Sequence, residues 1–361
     1  MKKIWIYSLL FITATLLAQS DFEELKPYQI INADKVVSTR EANDEYITNL
    51  TGDVHFFYGE TEFYADLAQI FEKQEIVLLE GNVQVYDDTL SLFARTTKYI
   101  KTEEHLVLRG NVLVVATHRD SSRRTFESDL VNYYRDSNEF YAEEDVHVFD
   151  EKQNVTGDCG KLSYFIDEGY GFMMKSPRLY LQKEDTLLVA GEKIEYFDNY
   201  KKIVATFDVI TESSDFRVDS DFLIHFVEEE KAIYQGKPKL YSEFADASAE
   251  EFQLFFKENK PEKAILQDSC LVYFKGQGTN KKENWVRSEQ MMFDFLDGNI
   301  RFCNAAVNVS SHFIQEKTSK RDFVQNDSTG DRMKVFLSEE NEIESIDLTG
   351  NVKGMYKFQK K

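Results

Sequence analysis

Proline and cysteine are both scarce in this 361-residue chain, at four and three residues, and methionine is limited to seven. So little proline leaves long stretches free to pair as strands. Cys159, Cys270 and Cys303 are odd in number and widely spaced. They define neither a disulfide framework nor a CxxC motif, and buried free thiols are the default, with a Cys270–Cys303 bridge the pairing left open. The six histidines (His55, His105, His118, His147, His225, His312) never fall at the i, i+2 or i, i+4 spacing of a metal pair. A Gly-x-Ser-x-Gly elbow is absent. Gly276-Gln277-Gly278 is a lone glycine turn that opens no helix and so makes no phosphate cradle. Beyond the first twenty residues no apolar run is long enough to cross a bilayer.

Positive charge is also in deficit. Lys and Arg total 43 against 64 acids, a formal net charge of -21. A chain this acidic lacks the basic face that nucleic acid or an anionic membrane surface requires. The acids are too numerous for any two to be singled out as general acid and base, and they read as a solvated exterior that keeps strand edges apart. His55 and His147 read as solvated outward histidines, and His225 as a satisfied core histidine. The sequons at Asn49 and Asn154 carry no further context. No cofactor and no catalytic residue is expected.

Strand formers are plentiful, with 29 Phe and 19 Tyr, and 42% of the chain is hydrophobic, too much for disorder. Residues 1–20 read as a secretory signal: Lys2 and Lys3, an apolar stretch from Ile4 to Leu17, and a small-x-small site at Ala18-Gln19-Ser20. Its removal takes two lysines and no acids, so the charge becomes -23 by subtraction from -21. An uncleaved anchor is the competing reading, no cysteine follows to suggest a lipid anchor, and an exported chain is expected.

A two-strand unit repeats about ten times. One strand starts with a small residue, then usually an acid, with apolar residues in fourth and sixth place. It starts at Ala33, Ala65, Ala94, Ser128, Gly157, Gly191, Ser220, Ala249, Ser288 and Gly330. The other strand carries a Leu-x-Gly-Asn-Val core, as in Leu50 to Val54, Leu79 to Val83, Leu108 to Val112 and Leu348 to Val352. Degenerate copies include Glu144-Asp145-Val146, Phe207-Asp208-Val209 and Gly236-Lys237-Pro238. The array is regular over 28–260 and looser over 261–361, within a continuous body of 21–361.

Alternation puts Leu106, Leu108, Gly110, Val112 and Val114 on one face and Arg109 and Asn111 on the other. A small residue in mid-strand permits a sharp bend. Long strands bent at one place and stacked antiparallel then form two facing walls. The expected fold is all-β: an elongated, twisted antiparallel β-jellyroll of about ten two-strand repeats. Its inward side chains are expected to be Val36, Val54, Phe56, Ile70, Val83, Val85, Tyr99, Val112, Val114, Val131, Tyr133, Val146, Val148, Leu162, Ile194 and Tyr196. A parallel β-helix is the structural competitor, although it needs three short strands per coil.

Ile31-Asn32-Ala33-Asp34-Lys35-Val36-Val37 followed by Thr39-Arg40, with the recurrent Gly-Asn-Val strands, resembles the organic-solvent-tolerance (OstA-like) family. That family includes the periplasmic lipopolysaccharide-transport protein A. The likeness is strongest over 31–150. It implies a periplasmic protein whose interior shields lipopolysaccharide acyl chains, or those of a similar amphipathic lipid, between two membranes. It also implies end-to-end stacking on other jellyroll transport proteins, strand edge on strand edge. The chain departs from the short members in length. It has neither the membrane barrel of the family's outer-membrane partner nor the anchor of the inner-membrane one. On the residues alone, a structural or adhesive solenoid with a closed core stays open, and an open seam or a sealed interior separates the two. A polysaccharide-active β-solenoid enzyme would need acids clustered on one groove face, whereas here they spread over every repeat.

Overall fold

The computed structural model of the chain describes residues 28–359, apart from 43, 88–89, 118–120, 276–283, 297–298, 316–322 and 339–342. The signal at 1–20, His118 and the Gly276–Gly278 turn lie outside the described residues. Within them are 26 strands, joined in one sheet, and two short 3-10 turns at Lys101–Glu103 and Asp198–Tyr200. The ladders are antiparallel throughout, which excludes the parallel β-helix.

Chain neighbours are sheet neighbours. Strand Tyr46–Tyr58 pairs with Thr61–Phe71, which pairs with Ile76–Asp87, then Leu90–Ile100, His105–Thr117, Arg123–Tyr134, Glu139–Asp150 and Val155–Phe165. Six layers are split at the bend into two short strands. Tyr170–Met174 and Arg178–Gln182, for example, both pair with Val155–Phe165. The 26 strands therefore make twenty layers. At ~4.8 Å per layer the body is about 90 Å long. The fold is an elongated antiparallel jellyroll.

Every second layer carries the same backbone device. Among the described residues, and apart from the hairpin turn at 258–259, ten adjacent residue pairs hold positive φ where the ladder shifts or the strand breaks: 52–53, 81–82, 110–111, 144–145, 175–176, 207–208, 236–237, 268–269, 307–308 and 350–351. In the ladders that run unbroken through such a pair, its two residues face a shorter stretch of the neighbouring strand, so the bulge turns the strand from one wall into the other. Glycine, and to a lesser degree Asn or Asp, tolerates the left-handed region, which accounts for the Gly-Asn and Gly-Asp steps. The acid after the small residue is explained as well. Asn82 Nδ2 donates to Asp66 Oδ2 at 2.9 Å, and Asn351 Nδ2 to Asp331 Oδ2 at 2.9 Å. The Asp66 carboxylate lies over Gly81, where a Cβ would come within 2.2 Å of its Oδ2.

Two expectations change. The left-handed backbone belongs to the Gly-Asn strand, while the small-residue strand breaks without it at Ala33-Asp34, Gly191-Glu192 and Ala249-Glu250. Ala65, Ala94 and Ser128 instead pair with Val54, Val83 and Val112 just past the bulge and are buried. By the same pairing the fifth unit starts at Cys159, opposite Val146, two residues after Gly157. All three cysteines are free and buried.

Gly81→Ala should lower stability by about 1–2 kcal/mol from the left-handed backbone alone, and by more through displacement of Asp66. Val307 holds φ +66° as an exposed β-branched residue, so Val307→Gly should raise stability by about 1 kcal/mol. Urea midpoints of the two variants should move in opposite directions.

Candidate functional site

Facing side chains of the two walls fill the space between them. From the wall that follows each Gly-Asn step come Val54, Phe56, Val83, Val85, Val112, Val114 and Val146; from the other come Ile70, Tyr99, Val131, Tyr133, Leu162 and Ile194. All are buried. Val148 and Tyr196 are partly buried and pack on this core. Val36 differs. It is level with Leu50 but 50% exposed, because strand Lys35–Arg40 is paired on one side only.

Phe63, Leu92, Phe126 and Phe140 were not among the expected inward residues, yet they complete the same rows. Phe63 stands opposite Phe56, with the rings stacked at 5.0 Å. Their signal was the same alternation, carried for Phe63, Leu92 and Phe126 into the half of the return strand that precedes the small residue, and for Phe140 into the half of its own strand that precedes the Glu144-Asp145 bulge. The interior is thus a packed apolar slab along its length and not an open trough. At its ends nothing covers it among the described residues: Ile30 and Val36 in the first layer and Ile346 in the last are exposed.

Opposite the bends, the free rims of the walls meet along a seam tied by polar contacts. Arg135, on one rim, binds Asp87 on the other through Nε at 2.9 Å, and Glu104 through Nη1 at 2.9 Å. The Tyr99 hydroxyl donates to Glu104 at 2.5 Å. The Lys101 ammonium lies 5.0 and 5.3 Å from the ring centres of Tyr28 and Tyr58 on the facing rim. Further along, Lys183 pairs with Glu230, and Lys260 with Glu184 at 3.1 Å. Asn259 Nδ2 donates across the seam to the carbonyls of Leu181 and Asp185, both at 2.9 Å. Exposed pairs of this kind stabilise by well under 1 kcal/mol or about that each. Buried ones cost more to break.

The buried tie is Arg124. Its Nε donates to Asp150 Oδ2 at 2.8 Å on its own wall, while Nη1 donates to the Tyr164 hydroxyl and Nη2 lies 3.7 Å from Asp198, both on the other. Burial works against its charge, but Tyr164, Asp150 and Asp198 outweigh that and hold the guanidinium protonated.

The outward histidines are partnered. His55 contacts Glu62 at 2.8 Å and stacks on Tyr64, and His147 contacts Asp158 at 2.6 Å. His225 is inward as expected but not satisfied, since its Nδ1 has no hydrogen-bond partner. Burial, with Lys183 nearby, lowers its pKa to about 4. Among the described residues no group of three or more His, Cys, Asp and Glu side chains is placed to hold a metal ion.

Residues 28–170 match the sequence model of a family described as OstA-like protein. No curated protein matches the chain. Among solved structures, the chain matches LptH of Pseudomonas aeruginosa, described as the LptA-homologous periplasmic component of the lipopolysaccharide transport device. The match has 12% identity and covers 46% of this chain and 76% of that one, and at a TM-score of 0.14 it carries no structural argument.

A histidine buried neutral binds fewer protons in the folded than in the unfolded chain at pH values between the two pKa values. Its contribution is therefore complete above about pH 6.5 and is lost as pH falls towards 4. The wild type should lose roughly 3 kcal/mol over this window that His225→Phe retains. Chemical denaturation of both chains at stepped pH checks the difference.

Proposed function

We propose that this chain, OstA-like over residues 28–170, is a non-enzymatic periplasmic bridge whose interior shields the acyl chains of lipopolysaccharide, or of a similar amphipathic lipid, on the way to the outer membrane. One observation carries the reading. A single apolar inner face runs through all twenty layers and, among the described residues, is left uncovered at both ends. Burying a face of that length against itself needs no uncovered ends, whereas passing hydrocarbon along it does. A body of about 90 Å, built at ~4.8 Å per layer, also has the reach for a bridge. The polar seam is the means by which the walls part, because its ties are individually weak against the apolar packing on either side.

The ends suit stacking on other jellyroll proteins. Among the described residues, strands Tyr28–Asn32 and Lys35–Arg40 each have one unpaired edge, and Ile30, Ile31, Val36 and Val37 are exposed there. At the other end Met355, Tyr356 and Phe358 of strand Lys353–Gln359 are exposed. An edge of this kind templates a further strand.

The tight interior favours one other reading, a structural solenoid with a dry core. A photo-crosslinking residue at Val83 or Val112, on the inner face, should capture lipid acyl chains in the native envelope, while one at Arg109 should not. Equal labelling from both faces would support the closed core. Val36→Lys with Val37→Lys should abolish end-to-end association in sedimentation velocity, and unchanged association would place the contact elsewhere.

A further inference from the structure

The inner rows are bulky almost throughout, and one gap interrupts them. In one wall the positions Phe63, Leu92 and Phe126 follow one another across Val85, Val114 and Val148, and the next in line is Gly157. In the facing wall Leu106, Tyr133, Phe140 and Tyr164 follow one another, and the next is Gly171, with Tyr196 beyond it. Both rows thus lose a side chain at nearly the same level. The result is a cavity of about 70 Å³ between the walls.

By volume this cavity would hold several waters, each needing ~10–15 Å³ on such a measure. Its depth is lined by Leu162, Met173, Leu179 and Ile194, which offer water no hydrogen bond. A space of that character stays dry and accepts hydrocarbon. Its polar lining is Arg124, Asp150, Gln153 and the two phenols Tyr164 and Tyr196. These residues stand at or next to the rims, so the polar end of the cavity is the seam.

The Arg124 tie is built so that it can open there. When the walls separate, Arg124 gives up Tyr164 and Asp198 but keeps Asp150, which sits on its own wall. Asp198 in turn keeps Lys201. No charge is stranded in the apolar interior, so the large penalty for breaking a buried ion pair does not apply. We infer that this point of the seam is a lateral entry for lipid, with Arg124 as its latch and the Gly157–Gly171 cavity as the seat of one acyl chain.

This inference rests on the lipid-bridge reading, and the test separates the two. Doxyl-labelled stearate and, in a second arm, purified lipid A are titrated into the full-length exported chain. Gly157→Leu restores a side chain where Phe126 stands in the preceding return strand. A Cβ there meets only the ends of Leu179 and Met173, and φ is not in the left-handed region. The variant should bind at least about tenfold more weakly, the equivalent of roughly two excluded methylenes. Met173→Trp fills the cavity from the opposite wall and should act alike, so a folding defect in one variant leaves the other decisive. Tyr164→Phe removes one latch contact at nearly constant bulk and should speed entry by about tenfold, the weight of a hydrogen bond to a charged group.

Wild-type affinity in both cavity-filled variants, with an unchanged entry rate in Tyr164→Phe, would overturn the entry site and leave the bridge standing. Failure of the wild type to bind either probe would remove both. Cavity-dependent binding of stearate without lipid A supports the site and assigns it to single-chain lipids; cavity-dependent binding of both supports it for lipopolysaccharide.

Discussion

A strand that serves two walls must change direction without losing its ladder on either side. The two-residue left-handed bulge answers that requirement, and the rest of the body depends on it. Because two residues on the bulged strand do the work, the alternation of inside and outside resumes correctly in the second wall: Leu108 and Val112 are both buried across the Gly110-Asn111 step. A shift of one residue would turn every side chain of one wall to the opposite face. The bulge therefore keeps the apolar side chains of both halves of the strand on the inner rows.

The constraint explains how much was legible in the sequence. Positive φ strongly selects Gly followed by Asn or Asp, so the steps at 52, 81, 110 and 350 announced the period plainly. The degenerate bulges at Lys175-Ser176, Asp268-Ser269 and Val307-Asn308 carry the same backbone with side chains that give no such signal. There the period had to be inferred from neighbours, and at Gly157 it slipped by two. The position of the left-handed bulge, on the other strand from the small residue, was hidden for a related reason. Alanine and serine opposite a bulge are selected for space, and composition alone does not distinguish a residue that bends from one that makes room.

The inner side chains followed from parity, which depends only on backbone geometry. Whether they enclose a groove or a slab did not, since that depends on how closely the walls approach. Their approach is governed by contacts between residues far apart in sequence, such as Arg135 with Asp87 and Asn259 with Leu181. Val36 shows the same limit from the other side. Its parity with Leu50 is right, but burial needs a further layer, and none covers it among the described residues.

The linear pairing of layers also gives the body a unit of growth. One hairpin contributes two layers, so each repeat gained or lost changes the length by about 10 Å while leaving every other bend, row and seam tie in place. Reach can thus be set by duplication, in fixed steps and without redesign. In that sense the number of repeats acts as a ruler.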